Sequence, residues 1–192
     1  MLPELNKKLP ELRANIMKPF VFKTNPNYIT VLALLVAFAA GYAFWKNMLL
    51  PAAALVLLNG FLDVLDGEIA KQFKRETKFG DFLDHVFDRI ADVAILLGVT
   101  LNPNVPDLYG FGAIILVLLV SYLGTEAQAL TKHRLYTAWL GRADRLLVLA
   151  IASIAAIWFN QALYWAVLLI LALSAVSFIQ RFYIITQILR RK

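Results

Sequence analysis

DVLDGEIAKQFKRETKFGDFLDHVFD, residues 63–88, interrupts an otherwise oily chain with five aspartates and a basic turn. Asp63, Asp66, Asp84 and Asp88 lie in or beside the longest apolar runs. Ionised carboxylates are costly inside a bilayer, so acids in such positions point to function and to a nearby cation. How these four residues are brought together decides both the fold and the chemistry.

The surrounding composition fixes the class. Of 192 residues, 60% are hydrophobic and 17% charged, with a mean hydropathy of +0.68. Soluble domains carry less apolar and more charged material, so the chain reads as an all-α integral membrane protein. It has no cysteine, which excludes disulfides and thiolate metal sites. His85 and His133 are the only histidines, which disfavours a histidine-rich zinc centre. Any metal is therefore held mainly by oxygen, which suits magnesium, manganese or calcium. The net charge of +6 fits basic cytoplasmic loops in a membrane protein, and nucleic acid is not expected as a partner.

The pattern outward from the acids predicts six membrane-spanning helices, near 28–45, 48–70, 81–101, 109–130, 143–159 and 162–187. Each approaches the ~20 residues that cross ~30 Å of hydrocarbon. Before them, residues 1–22 read as an amphipathic interfacial helix. Leu2, Leu5, Leu9, Leu12, Ile16 and Phe20 recur at helical spacing, with Lys7, Lys8, Arg13 and Lys18 between them. The stretch lacks the apolar core and cleavage site of a signal peptide. Lys and Arg gather in the N-terminal segment, the second-to-third and fourth-to-fifth connections and the C-terminal end, while Lys46 lies on the other side. That alternation places both termini, and the acids, on the cytoplasmic face. Tyr28, Trp45, Tyr109, Trp158 and Tyr164 fall near span ends as an aromatic belt. No repeat or second domain interrupts residues 1–192, and residues 28–187 read as one six-helix bundle.

Spacing then brings the acids together. Asp63 and Asp66 are three apart and Asp84 and Asp88 four apart, so each pair shares a helix face. The short charged connection makes the two helices antiparallel neighbours with the pairs at similar depth. Four facing carboxylates repel, and divalent cations relieve that repulsion. Pairing with Arg89 or Lys71 is the structural alternative, and an ion pathway in a transporter the other functional one. Gly67, Ala70 and Gly80 are small residues beside the acids and suggest a cleft for a flat group. His85 projects about 100° from Asp84 and reads as a local partner. Asp81 reads as an N-terminal helix residue. Asp92 extends the Asp84/Asp88 face one turn deeper, placed to brace Arg89 or a neighbouring helix.

From Asp63 the chain runs Asp, two residues, Asp66-Gly67, two residues, Ala70-Lys71, eight residues, Gly80, three residues, Asp84, three residues, Asp88. This closely resembles D-x2-D-G-x2-A-R-x8-G-x3-D-x3-D, the signature of the CDP-alcohol phosphotransferases. Lys71 is the one departure, standing where the family has Arg. The resemblance implies a metal-dependent transferase of phospholipid synthesis that takes a CDP-linked lipid and a small polar alcohol and releases CMP. It implies two divalent cations, Mg2+ or Mn2+, held by Asp63, Asp66, Asp84 and Asp88, with Asp88 also the catalytic base. It implies a donor site formed by Gly67, Ala70, Lys71 and Gly80, joined by Asn27 and Thr30 from a stretch, residues 25–30, that resembles the family's TPN-x-x-T. It also implies a homodimer in the cell membrane.

SYLGTEAQAL, from Ser121, and GRADRL, from Gly141, resemble the acceptor region of the phosphatidylinositol-phosphate and archaetidylinositol-phosphate synthases. By that resemblance Ser121, Arg142, Arg145 and Arg181 bind the acceptor, with inositol phosphate favoured, glycerol phosphate the runner-up and serine third. The chain departs from these enzymes at Gly124 and Glu126, where they are often basic. Arg142, Arg145 and Arg181 also have a plainer reading, as charges that set topology.

Overall fold

Local chemistry sets the helix ends. In the computed structural model, which describes residues 18–131 and 140–190, six α-helices follow a short 3-10 turn at Lys18–Phe20. Helix α1 (Pro26–Trp45) starts with proline in its first turn, where no amide donor is missed, and the Asn25 side chain accepts from the Asn27 amide at 3.1 Å. It stops at Asn47, whose φ of 55° is the left-handed conformation that asparagine tolerates. Helix α2 (Leu49–Gln72) ends in a turn with Lys74 at φ 50° and the Arg75 amide donating to the Ala70 carbonyl at 2.8 Å. Thr77 then caps α3 (Lys78–Thr100), its hydroxyl accepting from the Gly80 amide at 3.0 Å, with Asp81 in the first turn. Helices α4 (Asp107–Thr131), α5 (Arg142–Ala155) and α6 (Ala162–Arg190) complete the bundle.

The six helices pack in a closed cycle: α1 on α2, α2 on α5, α5 on α6, α6 on α4, α4 on α3 and α3 on α1. The acid-bearing helices were expected to be direct neighbours. They are not among the closely packed pairs; each packs against α1 instead. The physical reason is that α1 and α3 need to touch backbone to backbone. A Cβ on Gly98 would lie 2.0 Å from the Gly41 carbonyl oxygen, and one on Gly41 would lie 2.3 Å from that of Ala94. Glycine at both positions lets α3 close onto α1 and leaves the α2–α3 space for side chains.

A core of small and branched residues, including Ala37, Ala40, Phe44, Val56, Ile95, Val99, Leu149, Val167 and Ile170, runs through the bundle. A second cluster, Ile29, Ala33, Leu62, Leu65 and Ile69, seals α1 against α2 beside the acids. Two buried asparagines tie backbone across helices. Asn59 donates to the Ala33 carbonyl and Asn102 to the Phe44 carbonyl, each at 2.8 Å. Large apolar side chains face outward instead of inward, among them Leu35, Phe38, Ile115, Ile151 and Ile179, as lipid contact requires.

Among the described residues, α1, α2, α4 and α6 are long and apolar enough to cross a membrane. The chain is thus a multi-pass helical membrane protein in form. Two of the six expected spans do not meet the same test. Helix α3 carries the aspartates along half its length, and α5 has 14 residues, about 21 Å at helical rise. Residues 156–159, expected within the fifth span, form turns, because the chain must reverse at Asn160-Gln161. Residues 1–17 of the expected interfacial helix and the basic stretch at 132–134 lie outside the described residues.

Gly98→Val therefore drives two branches into the α1 backbone and is expected to cost about 3 kcal/mol or more. Gly67→Ala, which meets nothing within 4 Å, leaves the fold intact. Thermal unfolding in detergent, followed by monodispersity on gel filtration, distinguishes the two.

Candidate active site

The signature stretch delivers its acids from two directions. Asp63 and Asp66 lie on the last turns of α2, and Asp84, Asp88 and Asp92 on one stripe of α3. One carboxylate oxygen from each of Asp63, Asp84 and Asp88 lies within 4.8 Å of the others. Asp66 is 6% exposed, and its Oδ2 is buried with no hydrogen-bond partner. An orphaned carboxylate oxygen beside three convergent ones is a donor set of hard oxygen ligands, so these residues fit divalent cations such as Mg2+ or Mn2+.

The positive charge opposite comes from α5. Gly141 starts that helix, its amide donating to the Asp144 carboxylate at 2.8 Å, and the next residue, Arg142, is thereby aimed at the acids. Arg142 Nη1 donates to Asp63 Oδ1 at 2.5 Å and to Asp88 Oδ1, while Nη2 donates to Asn59 Oδ1 at 3.3 Å. Its Nε lies 3.4 Å from Asp92 Oδ1, an ion pair without hydrogen-bond alignment. Asp92 is 4% exposed and accepts on its other oxygen from Arg145 Nη2 at 2.6 Å. Asp92 thus braces α5 through Arg142 and Arg145. Arg89 reaches Asp88 at 3.5 Å.

Two clefts lie beside the acids: Asp66 and Asp84 line one, and Arg142, bonded to Asp63 and Asp88, lines the other. The smaller, about 180 Å³, is lined by the expected donor residues Asn27, Thr30, Gly67, Ala70, Lys71 and Gly80, together with Asp66 and Asp84. A Cβ on Gly80 would sit 3.3 Å from Asn27 Oδ1, so the glycine keeps this cleft open. The larger, about 570 Å³, is lined by the expected acceptor residues Ser121, Arg142, Arg145 and Arg181, with His85 and Arg89. A narrow space of about 10 Å³ bounded by Thr30, Asn59, Asp63, Asp66, Asp88 and Arg142 lies between them. Asp66 and Thr30 also line the smaller cleft and Arg142 the larger, so the carboxylates stand at the junction.

All the expected site residues gather at this end of the bundle. Lys71 is mostly exposed at the cleft rim and pairs with Glu68 at 3.8 Å. His85 lies 3.9 Å from both Asp81 and Asp84. Sequence reasoning missed Asn59, although it stands four residues before Asp63 on the same face and holds both α1 and Arg142. It also missed Arg75, which lines the donor cleft and donates to the Thr24 carbonyl at 2.7 Å. A surface arginine in a charged run carries no distinguishing pattern.

Comparison with known proteins agrees with this geometry. The family described as CDP-alcohol phosphatidyltransferase matches residues 23–143, the span from the donor cleft to Arg142. The chain is 31% identical to the archaetidylinositol phosphate synthase of Methanothermobacter thermautotrophicus, over 98% of the chain and 100% of the relative. It is 32% identical to that of Pyrococcus horikoshii, over 95% of each. The fold is similar to that of the Mycobacterium tuberculosis phosphatidylinositol phosphate synthase with CDP-DAG bound, with a TM-score of 0.78, 21% identity and coverage of 91% of this chain and 94% of the other. The same enzyme in complex with manganese and citrate also aligns at 0.78, with 22% identity over 90% and 88% of the two chains. With a family match over most of its length and relatives aligned almost end to end, this chain belongs to the CDP-alcohol phosphatidyltransferase family.

Proposed function

We propose that the chain transfers a phosphatidyl-type group, diacyl- or dialkylglycerol phosphate, from a CDP-linked lipid to inositol phosphate, with release of CMP. The reading rests on one observation: Asp66 and Asp84 line a small cleft, while Arg142, bonded to Asp63 and Asp88, lines the arginine-rich cavity beside it. A group transfer needs two substrates and one reacting point between them, which is this arrangement. The names of the two archaeal relatives support the acceptor, as do Arg142, Arg145 and Arg181 at the cavity wall.

In this reading Asn27, Thr30, Gly67, Ala70 and Gly80 admit the cytidine, and Lys71 meets donor phosphate as a point charge. Ser121, Arg142, Arg145 and Arg181 hold the acceptor so that its hydroxyl faces the junction. Asp88 accepts the proton of that hydroxyl. The hydroxyl oxygen bonds to the lipid-side phosphorus as the pyrophosphate P–O bond breaks, and CMP leaves with the electron pair. Asp63, Asp66, Asp84 and Asp88 would hold two divalent cations, which when bound would supply positive charge against the pyrophosphate. The M. tuberculosis structure in complex with manganese supports a divalent metal in a protein of this fold.

The proposal includes six membrane passes, with α3 and α5 completing the cycle inside the bilayer, and an N-terminal interfacial helix. The alternating basic connections support both termini and the site facing the cytoplasm of a cell membrane. A homodimer belongs to the same reading and rests on the family resemblance.

CMP release from a CDP-lipid is expected to require Mg2+ or Mn2+, to stop with EDTA and to return on readdition. Among inositol phosphate, glycerol phosphate, serine and inositol, inositol phosphate is expected to give the largest kcat/KM, with the product identified by mass. Serine as the sole productive acceptor would sink the phosphorylated-acceptor reading. Asp88→Asn is expected to lower kcat by roughly 10²–10⁴-fold while gel filtration shows a folded protein. Full turnover in that variant removes Asp88 as the base.

A further inference from the structure

We infer that Gly124 is a positioning residue for the acceptor: the missing side chain there seats Arg181 at the wall of the acceptor cavity. The inference deepens the proposed function and rests on its phosphorylated acceptor. Arg181 comes from α6 and Gly124 from α4, and both line the larger cleft. Arg181 Nη1 donates to the Val120 carbonyl at 2.7 Å. Val120 is one turn before Gly124, so its carbonyl already lies in the helical ladder and here receives a second donor.

A helical side chain covers the surface over the turn N-terminal to its own Cα. Any side chain at 124 would therefore shield the turn that Arg181 uses. The distances agree. A Cβ built on Gly124 would lie 2.7 Å from Arg181 Nη1 and 3.7 Å from its Cζ. Among the described residues no helix–helix backbone contact explains this glycine, unlike Gly41 and Gly98: the group its Cβ would meet within 4 Å is the Arg181 guanidinium. Among the described residues, the cavity's arginines come from three helices. Arg89 lies on α3, Arg142 and Arg145 on α5, and Arg181 alone comes from α6. Arg142 and Arg145 are fixed by Asp63, Asp88 and Asp92. Arg181 is held against α4 through the Val120 carbonyl, in the space left by the bare backbone at Gly124. A guanidinium held in place binds a phosphate better than a mobile one, because less side-chain freedom is lost on binding.

The clash is with the far end of a flexible side chain, so Gly124→Ala is expected to fold and to push Arg181 aside. Wild type, Gly124→Ala, Arg181→Ala and the double variant are compared as full chains with CDP-lipid and each alcohol, phosphorylated and not. Gly124→Ala is expected to raise KM for the alcohol phosphate roughly tenfold or more, the loss of one charge-assisted contact. The KM for CDP-lipid and kcat at saturating acceptor are expected to hold, as is KM for an unphosphorylated alcohol. Arg181→Ala is expected to do the same, and adding Gly124→Ala to it to do nothing more. An unchanged acceptor KM in Gly124→Ala, or multiplying losses in the double variant, overturns the inference. If Gly124→Ala fails to fold while the double variant folds, contact with Arg181 is the cause and the inference stands; if neither folds, it falls. A wild type that uses only unphosphorylated alcohols overturns the acceptor reading first and this inference with it.

Discussion

Charge compensation inside an apolar bundle is the constraint on which everything else rests. Asp63, Asp88 and Asp92 are gathered around the guanidinium of Arg142, with Arg145 on the second oxygen of Asp92. A buried ion pair gives little net stability over an apolar pair, yet removing one member leaves an uncompensated charge at a cost of about 3–5 kcal/mol. The cluster therefore fixes how α5 meets α2 and α3 more than it strengthens the bundle. It also puts cationic and anionic groups on the two sides of one small space, which is what phosphoryl transfer between two bound substrates needs.

That cluster requires room, and the room comes from elsewhere. Gly41 and Gly98 bring α1 and α3 into backbone contact, and the Ile29–Leu62–Ile69 cluster holds α2 on α1. With both acid-bearing helices packed on α1, the space between them is left for carboxylates and Arg142. At the other end of the bundle Asn102 bonds the Phe44 carbonyl and Asn47 Oδ1, closing the chain reversal after α1. The end with the acids stays open and the opposite end is tied shut.

Much of the site was legible before any coordinates. The spacing of Asp63, Asp66, Asp84 and Asp88 survives folding because a helix converts separations of three and four into one face. The charged run between them carries Thr77, whose cap starts α3 in register with Gly80. What spacing did not yield was the partner of each acid. Asp92 was expected to brace Arg89 or a neighbouring helix, and it does the second, holding Arg142 and Arg145 of α5 some fifty residues later in the chain. The membrane pattern was legible for α1, α2, α4 and α6, which are apolar throughout. Helices α3 and α5 were expected to span as well; their polar residues line the candidate site and dilute the hydropathy signal.

The sequence by itself determined a helical membrane protein with four acids on two helix faces and an oxygen-rich site for divalent cations. These follow from composition, helical period and a motif of fixed spacing, all local properties of the chain. Only the tertiary structure decided that α1 stands behind the acids, that Arg142 reaches into them, and that Arg181 rests on bare backbone at Gly124. Those outcomes depend on close approach between helices distant in sequence, which steric fit sets and no local pattern encodes.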